Sequence, residues 1–142
     1  MVLAKFIINM KKDKIAIIGL GYVGLPLARL FATKFPVVGF DINSDRIAGL
    51  MSGVDSTLEV DNDTLQSVLV SDNSESNGLF CTNQLEKIKD CNYFIITVPT
   101  PVDKNNRPIL NPLIKASETV GSVLKKGDIV IYESTVYPGA TE

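Results

Sequence analysis

The 142-residue chain has no histidine. That removes a histidine general base, a Ser-His-Asp triad and any histidine metal ligand. Its two cysteines, Cys81 and Cys91, are too few for a disulfide framework or a metal cluster, and a reducing cytoplasm is their natural setting. No excess of one charge is present. Lys and Arg number 14 against 16 Asp and Glu, a net charge of −2. With the signs mixed along the chain, nothing points to nucleic acid or to a basic membrane-binding face. A long apolar run is lacking too. The leader "MVLAKFIINMKKD" is interrupted by Lys5, is too short to span a membrane and has no small-residue cleavage site. Residues 1–12 read as an extension before the domain, either a short strand or a disordered tail, with Met10 as an alternative start. No internal repeat, low-complexity tract or heptad run is found.

What is present suits one domain, residues 13–142, with 45% hydrophobic and 21% charged residues. Apolar β-branched runs alternate with helical patterns. Ile15 to Ile18 predict a strand ending at Gly19. Val23, Leu27, Leu30 and Phe31 then fall on one face of a helix. "PVVGFD" predicts a second strand, and "NSDRIAGLM" a helix capped by Asn43 or Ser44. A short helix is predicted around Asp63 to Val70, an exposed loop at "SDNSESNG", a strand over Leu79 to Thr82 and a brief helix at Gln84 to Ile88. "NYFIITVPTP" predicts a buried strand running into a proline-bounded loop. Asn111 to Leu124 predicts a helix with Leu113, Ala116, Val120 and Val123 inward, and "DIVIYEST" the next strand. This order predicts an α/β fold of the Rossmann type, doubly wound, with a mostly parallel sheet and helices on both faces.

Gly19-Leu20-Gly21-Tyr22-Val23-Gly24 has the spacing G-x-G-x-x-G. On its own it is a weak signal. Here a strand precedes it, a helix follows, and Asp41 closes the next strand 20 residues after Gly21. In such a unit the first glycine permits the turn, the second leaves room for a pyrophosphate and the third lets helix and sheet approach. The helix N-terminus favours phosphate charge. Asp41 suits the hydroxyls of an adenine ribose and would repel a 2′-phosphate, which favours NAD over NADP. A purely structural turn, with Asp41 capping the following helix, is the alternative. Pro26 lies a few residues into the helix, where a proline is tolerated in the first turn.

"GLGYVGLPLA", "ITVPTPVD" at 96–103 and "VIYESTVYPGATE" at 130–142 together resemble, in order, the UDP-glucose/GDP-mannose dehydrogenase family of nucleotide-sugar 6-dehydrogenases. "YESTVYPG" looks most like members acting on UDP-N-acetylhexosamines, which supply precursors for bacterial capsule or O-antigen. The resemblance implies oxidation of a sugar C6 alcohol to a carboxylate in two NAD-dependent steps, through a cysteine thioester that is then hydrolysed. It implies that Gly19, Gly21 and Gly24 bind the pyrophosphate and Asp41 the adenosine ribose. Tyr22 and Val23, inside the turn, count with them as cofactor contacts, Tyr22 by packing rather than chemistry. Arg46 matches a basic position that contacts the adenosine end, and reads equally as a solvated helix charge. Thr100 and Glu133 match positions beside the cofactor. Thr135 matches a threonine near the nicotinamide with a supporting catalytic role, and locally reads as a turn residue. No metal is implied. The implied partners are a UDP-sugar substrate and, in the full-length enzyme, a second copy in a homodimer.

Several family features are missing. The catalytic cysteine, lysine, asparagine and second-domain acid of the family lie beyond Glu142, so the chain resembles an N-terminal domain inactive alone. Neither Cys81 nor Cys91 matches the catalytic cysteine; both read as buried structural thiols. Ile109 stands where relatives commonly carry an acid, and Asn111 where they often carry Thr. Two other readings explain less. A stand-alone regulatory nucleotide-binding module accounts for the glycine turn but not for "VPTP" or "ESTVYPG". A β-hydroxyacid dehydrogenase cofactor domain fits "GYVGLP" and "ESTVYPG" less well.

Overall fold

The computed structural model describes residues 12–73, 76–136 and 138. The leader through residue 11, Tyr137 and residues 139–142, on which expectations above fall, lie outside them, as do two residues of the "SDNSESNG" loop. Strands β1 (Ile15–Ile18), β2 (Pro36–Phe40), β3 (Gly78–Thr82), β4 (Tyr93–Ile96) and β5 (Ile129–Tyr132) form one sheet in the order β3-β2-β1-β4-β5. Every pairing is parallel; Ile15 pairs with both Val37 and Tyr93, and Phe94 with Val130. β1 and β2 are buried along their whole length. Strands covered on both faces read as unbroken apolar runs, as "IAII" and "PVVGF" do.

Helices α1 (Gly24–Ala32), α2 (Ser44–Met51), α3 (Asn62–Val68) and α4 (Asn111–Gly121) connect them, with a 3₁₀ turn at Leu85–Ile88. One face of the sheet holds Ile15, Ile17, Val37, Leu79 and Ile95 against Leu25 and Ala28 of α1, Leu50 and Leu65. The opposite face holds Ala16, Ile18, Val38, Phe94 and Ile96 against Leu113, Ala116 and Val120 of α4. The inward face predicted for α4 is therefore the observed one, although the helix ends at Gly121 rather than Leu124. α2 is capped by Asn43, whose side chain accepts from the Arg46 amide at 3.1 Å.

The face predicted for α1 is corrected. Val23 and Leu30 are 55% and 56% exposed. The buried positions are Gly24, Leu25, Ala28 and Ala32, with Leu27 and Phe31 half-buried at the margin. Three of those four are Gly or Ala, which let the helix axis lie close to the sheet. A narrow contact strip leaves the larger side chains outside. Pro26 is the third residue of α1, where its missing N–H would have had no intrahelical partner.

Candidate functional site

The glycine turn joins the carboxyl end of β1 to α1, at the end of the sheet where ligands of open α/β folds bind. Gly19 has φ +99° and its amide donates to Phe40 O at 2.8 Å. That positive φ requires glycine. A Cβ on Gly24 would run into the Gly19 carbonyl oxygen and the Thr97 hydroxyl, so helix and turn touch backbone to backbone. Gly21 differs from both. It takes no positive φ, and a Cβ there would meet nothing within 4 Å. Neither conformation nor packing demands glycine at that position.

The N-terminus of α1 has no side-chain cap and no acid in its first turn. Asn43 and Asp61 cap α2 and α3. The first turn of α1 thus carries positive dipole charge without a protein carboxylate to meet it, although its Leu25 amide already donates to Gly21 O at 3.1 Å. Buried Thr97, which sequence reasoning passed over, donates from Oγ1 to Gly19 O at 2.7 Å and ties the turn to β4. Its signal was a lone hydroxyl at the end of an apolar strand.

Asp41 follows β2 and reaches back to the turn. Its Oδ2 accepts from the Leu20 amide and its Oδ1 from the Asn43 amide, both at 2.9 Å. It is therefore not the cap of α2, contrary to the structural alternative. A carboxylate has about four lone-pair positions, so this one keeps acceptor capacity beyond two amides. Leu20 is fully buried and its methyl groups fill the space a Cβ on Gly39 would need.

Arg46 is not the solvated helix charge offered as an alternative. Its side chain is 9% exposed. Nε donates to Leu20 O at 2.8 Å, Nη1 to Asp55 Oδ1 at 2.7 Å and Ser56 Oγ at 3.1 Å, and Nη2 to Thr57 Oγ1 at 3.3 Å. Asp55 is buried and also accepts from the Thr57 amide and hydroxyl and from the Glu59 and Val60 amides. Burial pushes its carboxyl upward, but the bonds from Thr57, Val60 and Arg46 outweigh this and hold it far below the usual carboxylate range. Sequence reasoning missed Asp55, which stands in a polar stretch nine residues from its partner.

Beyond β4 and β5 the site is looser. Thr100 Oγ1 is buried with no hydrogen-bond partner among the described residues. Ser134 Oγ donates to Val98 O at 2.7 Å, holding the two loops together. The Glu133 amide donates to Ile96 O at 2.9 Å, while its side chain and Thr135 are exposed. Glu133 lines an open groove of about 600 Å³ with Tyr22, Val23, Pro26, Leu30 and Ile131. Tyr22, 69% exposed, and Val23 thus belong to the apolar wall of that groove. Cys81 and Cys91 are buried free thiols. Burial pushes both up to about 12, which keeps them protonated and unreactive at neutral pH. Among the described residues, no group of acids and cysteines could hold a metal ion.

Residues 13–142 match the model of the UDP-glucose/GDP-mannose dehydrogenase family, NAD binding domain. The chain belongs to that family. NAD is the cofactor of this domain. The family chain is 59% identical over 133 residues to a UDP-N-acetyl-D-glucosamine 6-dehydrogenase of Pseudomonas aeruginosa, covering 94% of this chain and 30% of that protein. It is 50% identical to the Staphylococcus aureus protein CapL, over 90% of this chain and 28% of that one. The structure of a UDP-D-ManNAc dehydrogenase from Pyrococcus horikoshii superposes with a TM-score of 0.81 at 41% identity, over 90% of this chain and 30% of that one. The chain therefore spans about 30% of the length of the relatives it matches.

The residues present fit a dinucleotide. Gly21 leaves open space over an uncapped helix N-terminus, Asp41 retains acceptor capacity, and Thr100 has a buried hydroxyl without a partner among the described residues. These features line the carboxyl ends of β1, β2 and β4.

Proposed function

We propose that this domain serves a nucleotide-sugar 6-dehydrogenase that oxidises the C6 alcohol of a UDP-N-acetylhexosamine for bacterial surface polysaccharide synthesis. The observation that carries the cofactor half of this reading is Gly21, a glycine that neither backbone conformation nor packing requires. Likeness to proteins named as UDP-N-acetylhexosamine dehydrogenases carries the substrate half.

Bound NAD would supply the hydride acceptor. This chain's residues bind and orient it. Gly19 and Gly24 shape the turn, and the glycine turn with the positive end of α1 would take the pyrophosphate over Gly21. Tyr22 and Val23 flank that position. Asp41, already oriented by the Leu20 and Asn43 amides, accepts from the adenosine ribose hydroxyls and repels a 2′-phosphate. Arg46 acts at the adenosine end by holding the Leu20 carbonyl. Thr100 offers its hydroxyl to the cofactor. Glu133 and Thr135, just past β5, lie toward the nicotinamide end, with Thr135 in a supporting role. With both thiols held protonated, the chain supplies no cysteine nucleophile of its own, so catalysis needs residues outside it.

Calorimetric titration with NAD, NADP and UDP-N-acetylglucosamine tests this reading. NAD should bind, NADP and the nucleotide sugar should bind little, and no NADH should form. Asp41→Ala should weaken NAD binding by about tenfold or more, as expected for losing hydrogen bonds to a charged group. A folded chain that ignores NAD would contradict the proposal.

A further inference from the structure

Two charged groups assigned to the adenosine end are tied to a single residue, Leu20. Asp41 takes the Leu20 amide proton and Arg46 donates to the Leu20 carbonyl. A positive guanidinium so placed is what a 2′-phosphate needs, because arginine beside the adenosine ribose is how dinucleotide folds accommodate NADP. Arg46, however, is already engaged. Of its five N–H donors, Nε uses one, Nη1 two and Nη2 one, on Leu20, Asp55, Ser56 and Thr57. Asp55 is in turn fixed by four further bonds from Thr57, Glu59 and Val60. The pair is buried on both sides, at 9% and 0% side-chain exposure, where a charge is compensated by its immediate partner rather than by solvent.

We propose that Asp55 is a specificity-determining residue of the cofactor site: by occupying the Arg46 guanidinium it withholds that charge from a 2′-phosphate and leaves Asp41 to set the charge the ribose meets. The proposal rests on the reading of the glycine turn as an NAD site. NAD preference then has two parts, repulsion by Asp41 and sequestration of Arg46 by Asp55. The second is invisible to a motif that ends at the β2 carboxylate. Asp55 acts through Arg46 without touching the cofactor.

The test is calorimetric titration of the 142-residue chain with NAD and with NADP, alongside thermal melting. Asp41→Asn serves as the background, so that NADP binding is measurable. Adding Asp55→Asn should shift the NAD-to-NADP affinity ratio toward NADP by about tenfold, the scale of one freed charge near a protein surface. Adding Arg46→Gln to that chain should abolish the shift. Arg46→Gln with Asp55 intact should weaken both cofactors without changing their ratio, and this arm stands even if Asp55→Asn fails to fold. An unchanged ratio in folded Asp55→Asn would overturn the proposal. So would a shift that survives Arg46→Gln, or a selective loss of NADP when Arg46 alone is replaced. Failure of the unsubstituted chain to bind NAD would instead overturn the underlying reading, and this proposal with it.

Discussion

At the carboxyl ends of β1 and β2 the charged groups are tied down: Asp41 and Arg46 both bond the Leu20 backbone, and Asp55 holds Arg46. Past β4 and β5 the Thr100 hydroxyl is buried without a partner among the described residues, and the side chains of Glu133 and Thr135 face solvent. The strands differ in the same way. β1 is buried throughout, whereas Ile129 and Tyr132 at the two ends of β5 are 47% and 42% exposed. On the proposed reading, the adenosine end lies on the β1–β2 side, where the charged groups are held in place, and the nicotinamide end on the β4–β5 side, where they are not. A half-site whose groups are already oriented loses little freedom on binding. NAD affinity should therefore come mainly from the β1–β2 side.

The comparison breaks most severely at Asp55. Asp55→Ala leaves the Arg46 guanidinium buried and unpaired, and should cost about 3–5 kcal/mol of stability, read by urea unfolding. The depressed carboxyl adds a pH signature. Its ordinary value is 3.8. The folded state binds that proton less readily than the unfolded chain. The contribution of Asp55 is therefore fully present above about pH 4 and is lost as pH falls below it. Asp55→Asn should flatten that part of the acid unfolding curve. A curve unchanged by the substitution would mean the carboxylate is not the group being titrated.

Gly24→Ala comes next. The added methyl meets a backbone carbonyl and the Thr97 hydroxyl, and a backbone group cannot swing aside. A loss of about 1–3 kcal/mol is expected, visible as a lowered Tm, with NAD binding weakened because the turn must shift. Smaller still is the difference within the wild-type sheet. Native-state hydrogen exchange should show the β5 amides opening at lower free energy than those of β1, because exposed edge strands open by local unfolding. Equal protection in β1 and β5 would erase the contrast between the halves.

Where the sequence was readable, the signal was short-range. The β1 run, the glycine spacing and Asp41 lie within one strand-turn-helix-strand unit, and the period of Leu113, Ala116 and Val120 reports α4 directly. The inner face of α1 was misread because Gly24, Ala28 and Ala32 are small. They carry less apolar signal than Val23 and Leu30, and geometry puts the small residues inside. Arg46 was ambiguous because its partner, Asp55, lies in a loop with no periodicity. Thr97 and Ser134 act by linking the glycine turn, β4 and the loop after β5. Such links belong to the folded sheet and have no spacing rule in the chain.

The central claim is that the open space at Gly21 is kept for the phosphates of NAD. Gly21→Val tests it most directly, by calorimetric titration with NAD beside thermal unfolding. A Cβ there meets nothing within 4 Å among the described residues, so stability should change by no more than about 0.5 kcal/mol. NAD affinity should fall by about tenfold or more, a loss of about 1.4 kcal/mol or more. A variant that unfolds at the wild-type temperature and binds NAD as tightly as the parent would contradict the account.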